Sequence, residues 1–165
     1  MHFCSVLAVM MKVLNLPDHG VKTMHDGQGG RVFDPVRRLW VVLTPEEWVR
    51  QHLLNYLIHE LGCPASLIAV EKKLMVNNLT KRADVVVYAR SGGPVLLVEC
   101  KAPEVKVDQR TFEQVARYNT VFKVPYLLAS NGLVHYCCRI GRENGKIDFL
   151  TKVPAYEELC VPVPE

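Results

Sequence analysis

Two carboxylates and one ammonium group in the middle of the chain are spaced to work together. Glu99 and Lys101 lie two residues apart in the run VLLVECK, and Asp84 opens the run DVVVYA. Both runs read as strands, and alternate residues of a strand share a face. Glu99 and Lys101 therefore project to one side. The intervening Ser91-Gly92-Gly93 is a hairpin signal. With Ser91 and Gly92 at the loop tip, residues whose numbers sum to 183 face each other, which sets Asp84 opposite Glu99. Directly opposed side chains have Cβ atoms roughly 5 Å apart. Two ionised carboxylates that close repel, and a divalent cation relieves the repulsion. Oxygen ligands with water positions left open suit Mg²⁺. Such an ion polarises a phosphate oxygen and lowers the pKa of a bound water. Lys101 could orient or deprotonate that water, or stabilise transition-state charge. These are the parts that phosphodiester hydrolysis requires.

Glu-x-Lys alone is a weak signal, because a solvated strand end with a cross-strand ion pair contains the same residues. The surroundings strengthen it. Asp84 and Glu99 flank otherwise apolar runs, and a charge at the end of a buried hairpin needs a partner or a task.

The elements that must position these groups are legible on either side. Thr44-Pro45-Glu46-Glu47 starts a helix, with Thr44 as N-cap, Pro45 in the first turn and Glu47 completing a capping box. Val49, Leu53, Leu54, Leu57, Ile58 and Leu61 follow at helical spacing, and Gly62 and Pro64 end it. Residues 67–76 read as a strand entered through a short turn, and Asn77-Asn78 as a turn. The hairpin strands span 83–90 and 94–101. Asp108 caps a helix running to about residue 119. On it Gln114 and Tyr118 are four apart and share a face. Arg110 and Arg117 flank them, while Phe112, Val115 and Ala116 point to the sheet. That stripe of two guanidinium groups, an amide and a phenol is suited to phosphate and base contacts, though a solvated amphipathic helix shows the same pattern. A strand at 126–130, a tight turn at Asn131-Gly132, a returning strand to 140, a hairpin near Asn144-Gly145 and an extended tail complete the chain. Residues 32–43 read as extended, with Pro35 at an edge or bulge. The expected fold is mixed α/β, a central β-sheet flanked by helices.

Other groups carry less. His52 and His59 share a helix face without a third ligand nearby. Glu47, on the first helix, and Glu71, on the strand before the hairpin, are further acids that could reach the site. Trp40 and Trp48 read as core or staple residues. The segment from Gly141 to Ile147 lacks the spacing and the Ser or Thr of a phosphate loop, so no nucleotide site is expected.

Composition sets the outer bounds. The chain has 165 residues, 49% hydrophobic and 22% charged, with a net charge of +3. That is one domain's worth with enough apolar content for a core. Residues 1–30 are expected to be an N-terminal extension, flexible in part with an entry loop at 17–30, and 31–165 the folded domain. The apolar residues 1–16 are too short for a membrane span and lack the pattern of a signal peptide. The six cysteines form no Cys-x-x-Cys and read as buried thiols, consistent with a reducing cytoplasm. Cys137 and Cys138 should point to opposite faces of a strand.

The run RADVVVYARSGGPVLLVECKAPEVKVDQRTFEQVARYN resembles the nuclease core of the N-terminal domain of type I restriction enzyme R subunits, in the PD-(D/E)XK nuclease superfamily. The flanking TPEEWVRQHLLNYLIHELGCP and VPYLLASNGLVHYC extend the resemblance over about 100 residues. The acidic–Glu-x-Lys motif of the family maps to Asp84, Glu99 and Lys101, and its Gln-x-x-x-Tyr motif to Gln114 and Tyr118. Ala83 stands where a proline often precedes the first Asp. The resemblance implies a restriction-endonuclease-like core and a Mg²⁺-dependent endonuclease acting on DNA, with Mn²⁺ as a substitute ion. Asp84, Glu99 and the Cys100 carbonyl would hold the metal, Lys101 would assist the water, and Gln114, Tyr118, Arg110 and Arg117 would face DNA. The translocase domains of full-length R subunits are not expected here, so a separate restriction subunit or a second copy of the chain is the expected partner. The alternatives are a binding or assembly module that keeps the fold without catalysis, and a nuclease acting on RNA.

Overall fold

The computed structural model describes residues 11–162, apart from the side chain of Tyr118. Cys4 and the last residues of the tail lie outside the described residues.

Six strands form the main sheet: β4 (Ile68–Val76), β5 (Leu79–Tyr88), β6 (Pro94–Cys100), β7 (Tyr126–Ser130), β8 (His135–Ile140) and β9 (Ile147–Leu150). They lie side by side in that order. Only β6 and β7 run parallel within it, and the helix α2 (Gln109–Phe122) makes their crossover. A smaller antiparallel sheet holds β1 (Thr23–His25), β2 (Gly30–Asp34) and β3 (Leu39–Val42). Helix α1 (Pro45–His59) follows it, and the short helix α3 (Tyr156–Leu159) closes the described chain. The mixed α/β sheet with flanking helices is the architecture expected. No described helix is long and apolar enough to cross a membrane.

The main sheet separates two cores. Val49, Leu53, Leu54 and Leu57 of α1 pack with Leu96, Val98 and Cys100 on one face. Val115 of α2 packs with Leu97, Val124 and Leu127 on the other. Cys137 belongs to the first core and Cys138 to the second, as strand alternation requires. Both are reduced and buried. Their thiols are pushed up to about 12 and about 11, chiefly by burial, so they are unreactive packing groups.

Several local readings change. The stretch 17–30 is not wholly loop, since β1 lies within it and pairs with β2. Leu14 and Leu16 pack on the first core. Pro35 sits in the turn between β2 and β3 rather than at a strand edge. Trp40 is 40% exposed on β3, outside the core. Ala116 is exposed although Val115 beside it is buried. Asn131-Gly132 is no two-residue turn. Ser130 pairs with His135, and the Asn131 side chain accepts from the N–H groups of Leu133 and Val134 to order a four-residue loop.

Gly132 is fixed by close packing there. Its φ is +82°, and a Cβ would lie 2.7 Å from Leu14 Cδ2 and 3.1 Å from Val49 Cγ2. Gly132→Ala should therefore lower stability by about 1–3 kcal/mol, read from urea unfolding. A variant as stable as the parent would contradict this packing.

Candidate active site

The β5–β6 hairpin sets the first two acids. Val85 pairs with Val98, Val86 with Leu97 and Val87 with Leu96, the register in which Asp84 faces Glu99. The turn itself is one residue off the expected one, because Tyr88 pairs with Pro94. A bulge between Val87 and Tyr88 absorbs the difference before the ladder reaches the acids. On the other side of β5 the pleat breaks beside Asp84. The β4–β5 ladder steps from Val70–Val85 to Lys72–Ala83 and skips Glu71, whose φ is +50°. Ala83 packs in the second core and Val85 in the first, although they are two apart. Asp84 thus sits where the hairpin passes from one core to the other.

Five side chains meet there. Asp84 Oδ2 accepts from the Cys100 backbone N–H at 2.7 Å, and its Oδ1 lies 3.0 Å from Arg50 Nη2. Glu99 Oε1 lies 3.0 Å from Lys101 Nζ and accepts from Gln114 Nε2 at 2.8 Å. Lys101 Nζ also donates to Gln114 Oε1 at 3.1 Å. The structure therefore brings Asp84, Glu99, Lys101, the Cys100 backbone and Gln114 into one constellation. Gln114 acts inside it, bracing both Glu99 and Lys101, rather than only on an outer face. Arg110 and Arg117 are exposed on the same helix. The Tyr118 side chain lies outside the described residues.

Burial and the charge of Asp84 push the Glu99 carboxyl up to about 7. Lys101 is raised as well: burial works against its charge, but the hydrogen bond and charge of Glu99, with Asp84 and Glu46, outweigh it. Lys101 is held as an ammonium group. Folding makes Glu99 a weaker acid, so between its ordinary 4.5 and about 7 the folded chain keeps a proton that the unfolded chain releases. This contribution to stability is complete below 4.5 and lost as the pH rises through about 7. The melting temperature of metal-free Glu99→Gln should therefore gain on that of the parent as pH rises through this window. A constant difference would contradict the shift.

Two acids on α1 need separating. Thr44 Oγ1 accepts from Glu47 N–H at 3.1 Å, which caps the helix. The Glu47 carboxylate does not return to the cap. It bonds Arg50 Nη1 at 2.6 Å and Gln51 Nε2 at 2.8 Å. Glu46 is the acid that senses the site, raised by burial and then by the charge of Asp84. Sequence reasoning passed over it, and the available signal was its i, i+4 spacing to Arg50.

Arg50 was also missed. It is 4% exposed, and its guanidinium contacts Asp84 and Glu47 and lies 3.8 Å from Glu71. Arg37 joins Glu71 at 2.8 Å to Asp34, which is fully buried and also takes Gln51. Glu71 thus belongs to an arginine network behind the site. His52 packs on Trp48 with ring centroids 4.2 Å apart, and His59 lies against His19 at 5.1 Å, so the two do not converge as ligands.

Among the described residues no three His, Cys, Asp or Glu side chains are grouped to hold an ion. The site offers two carboxylates, and Mg²⁺ is commonly held by one or two carboxylates with its waters retained. Hard oxygen donors, with a Glu99 carboxyl raised by burial and then by the charge of Asp84, fit a divalent cation.

A comparison with characterised proteins returns no match. Among solved structures the chain is similar to a fragment described as an HsdR subunit of a type I restriction enzyme from Vibrio vulnificus YJ016, at 20% identity and a TM-score of 0.51. The match covers 71% of this chain and 24% of that one, so the likeness is one of fold over about a quarter of the other protein. The family model described as type I restriction enzyme R protein N terminus matches residues 45–154, which hold both helices that line the site and the whole main sheet. The chain belongs to that family.

Proposed function

We propose that the domain is a Mg²⁺-dependent DNA endonuclease of the PD-(D/E)XK type. The observation that carries this reading is the pairing of Asp84 with Glu99, braced by Lys101 and Gln114 in one hydrogen-bonded unit. Asp84, Glu99 and the Cys100 carbonyl would hold the cation, with Mn²⁺ as a substitute. When bound, the ion would polarise the phosphate and acidify a water.

The side chains of the site then have distinct tasks. Lys101, kept as an ammonium group, is a donor to developing phosphate charge rather than a base. Gln114 fixes the geometry between Glu99 and Lys101. Arg50 orients Asp84 from behind. Arg110, Arg117 and Tyr118 on α2 would face the nucleic acid. A separate restriction subunit or a second copy would add binding surface, given a net charge of only +3.

Plasmid DNA incubated with the purified protein should be nicked or linearised in Mg²⁺ or Mn²⁺ and left intact in EDTA. Intact plasmid in all three conditions would sink the reading and favour a binding module. Cleavage of RNA but not DNA would reassign the substrate.

A further inference from the structure

The β4–β5 hairpin extends beyond the site as a two-stranded arm. Residues 71–82 carry Lys72, Lys73, Lys81 and Arg82 against Glu71 alone. The arm's charge therefore equals the +3 of the whole chain, and the rest is balanced. All four cations are exposed.

Their placement is unusual for a strand pair. Lys73 stands directly opposite Arg82 in the ladder. Like charges so placed destabilise a sheet. Glu71 offsets this only in part. It lies 3.4 Å from Arg82 Nη1 but is shared with Arg37 and Arg50. Leu74 and Ala83 turn to the core under α2, so Lys73 and Arg82 project from the opposite face, two residues from Asp84. Lys72 and Lys81 line the side that carries Leu74. A polyanion with regularly spaced charges is the ligand that relieves such an arrangement.

We infer that the β4–β5 arm grips the phosphate backbone of duplex DNA on one flank of the cleaved bond, an inference that rests on the nuclease reading. Asp84 lies five residue steps from Leu79 at the tip, roughly 17 Å of strand. At roughly 3.4 Å per base pair the arm follows about five base pairs. The duplex must therefore extend about that far on one side of the scissile phosphate, and the footprint is asymmetric.

The test compares the parent with the quadruple variant Lys72→Ala, Lys73→Ala, Lys81→Ala, Arg82→Ala, using fluorescence anisotropy of a labelled duplex in EDTA over a salt series. The slope of log affinity against log salt should fall by about 3, and affinity at moderate salt at least about tenfold. A variant with Lys72, Lys73 and Lys81 changed to Arg should keep parental binding, which separates charge from folding. Trimming one flank below about five base pairs should weaken binding, and trimming the other should not. If the parent cleaves DNA while the quadruple variant keeps its salt slope, the arm inference fails and the nuclease reading stands. If the parent binds duplex RNA or anionic vesicles as tightly as duplex DNA, the assignment of the ligand fails. If the parent neither binds nor cleaves DNA, both fall.

Discussion

Glu99→Gln should reduce DNA cleavage by on the order of 10³-fold while leaving the protein folded. Glu99 is 4% exposed and meets Lys101, Gln114 and the field of Asp84 at one point. The amide cannot supply a negative oxygen to a cation. Electrostatic stabilisation at such a centre is worth several kcal/mol, and about 4 kcal/mol corresponds to roughly 10³ in rate. The substitution also removes the repulsion between Glu99 and Asp84. The variant should therefore melt no lower than the parent near pH 8, which separates lost chemistry from lost structure. Nicking assays and melting curves on the same preparations decide it. Cleavage within about threefold of the parent would exclude Glu99 from the reaction.

Arg50→Ala should destabilise the protein by about 3–5 kcal/mol, the usual cost of removing one partner from a buried ion pair. Asp84 and Glu47 each lie within 3.0 Å of its guanidinium, and Glu46 and Glu71 within 3.8 Å. Burial disfavours the charge on Arg50, yet Asp84 and its neighbours raise its pKa above the ordinary value, so it is always a cation. Without it Asp84 loses the guanidinium that pairs it, while Glu47 keeps Arg37 and Glu71 keeps Arg37 and Arg82. A fall in melting temperature of roughly 10 °C corresponds to this cost in a domain of this size. Arg50→Lys keeps the charge but not the planar fork and should recover only part of the loss. Urea unfolding gives the free energies, and a loss below about 1 kcal/mol for Arg50→Ala would show that the network is relaxed by solvent.

The constellation was legible because strand alternation is a strong constraint. Asp84 and Glu99 came out opposed even though the expected turn was one residue off, since the bulge restores the register before the acids. Helix α1 was legible from the Thr44 cap and the repeat of Val49, Leu53, Leu54 and Leu57. What escaped depended on tertiary partners. Thr23, Met24 and His25 are all exposed, so β1 carries no apolar alternation to reveal it. Helix α3 is four residues long, too short for a helical period. Capping logic located Glu47 N–H but not the direction of its carboxylate, which Arg50 and Gln51 determine. An arginine inside an apolar helix repeat reads as solvated, and only the fold shows Arg50 aimed at Asp84.

The bulge at Val87–Tyr88 also bears on protein engineering. It uncouples the 89–93 loop from the end of the hairpin that carries the two acids, so the loop can change length without shifting Asp84 against Glu99. Ser91 and Gly92 are exposed at its tip, with open space where a Gly92 Cβ would stand. A reporter peptide or a second folded module could be spliced in there, at the opposite end of the hairpin from Asp84 and Glu99, and the same permissiveness would let descendants of this domain acquire new appendages.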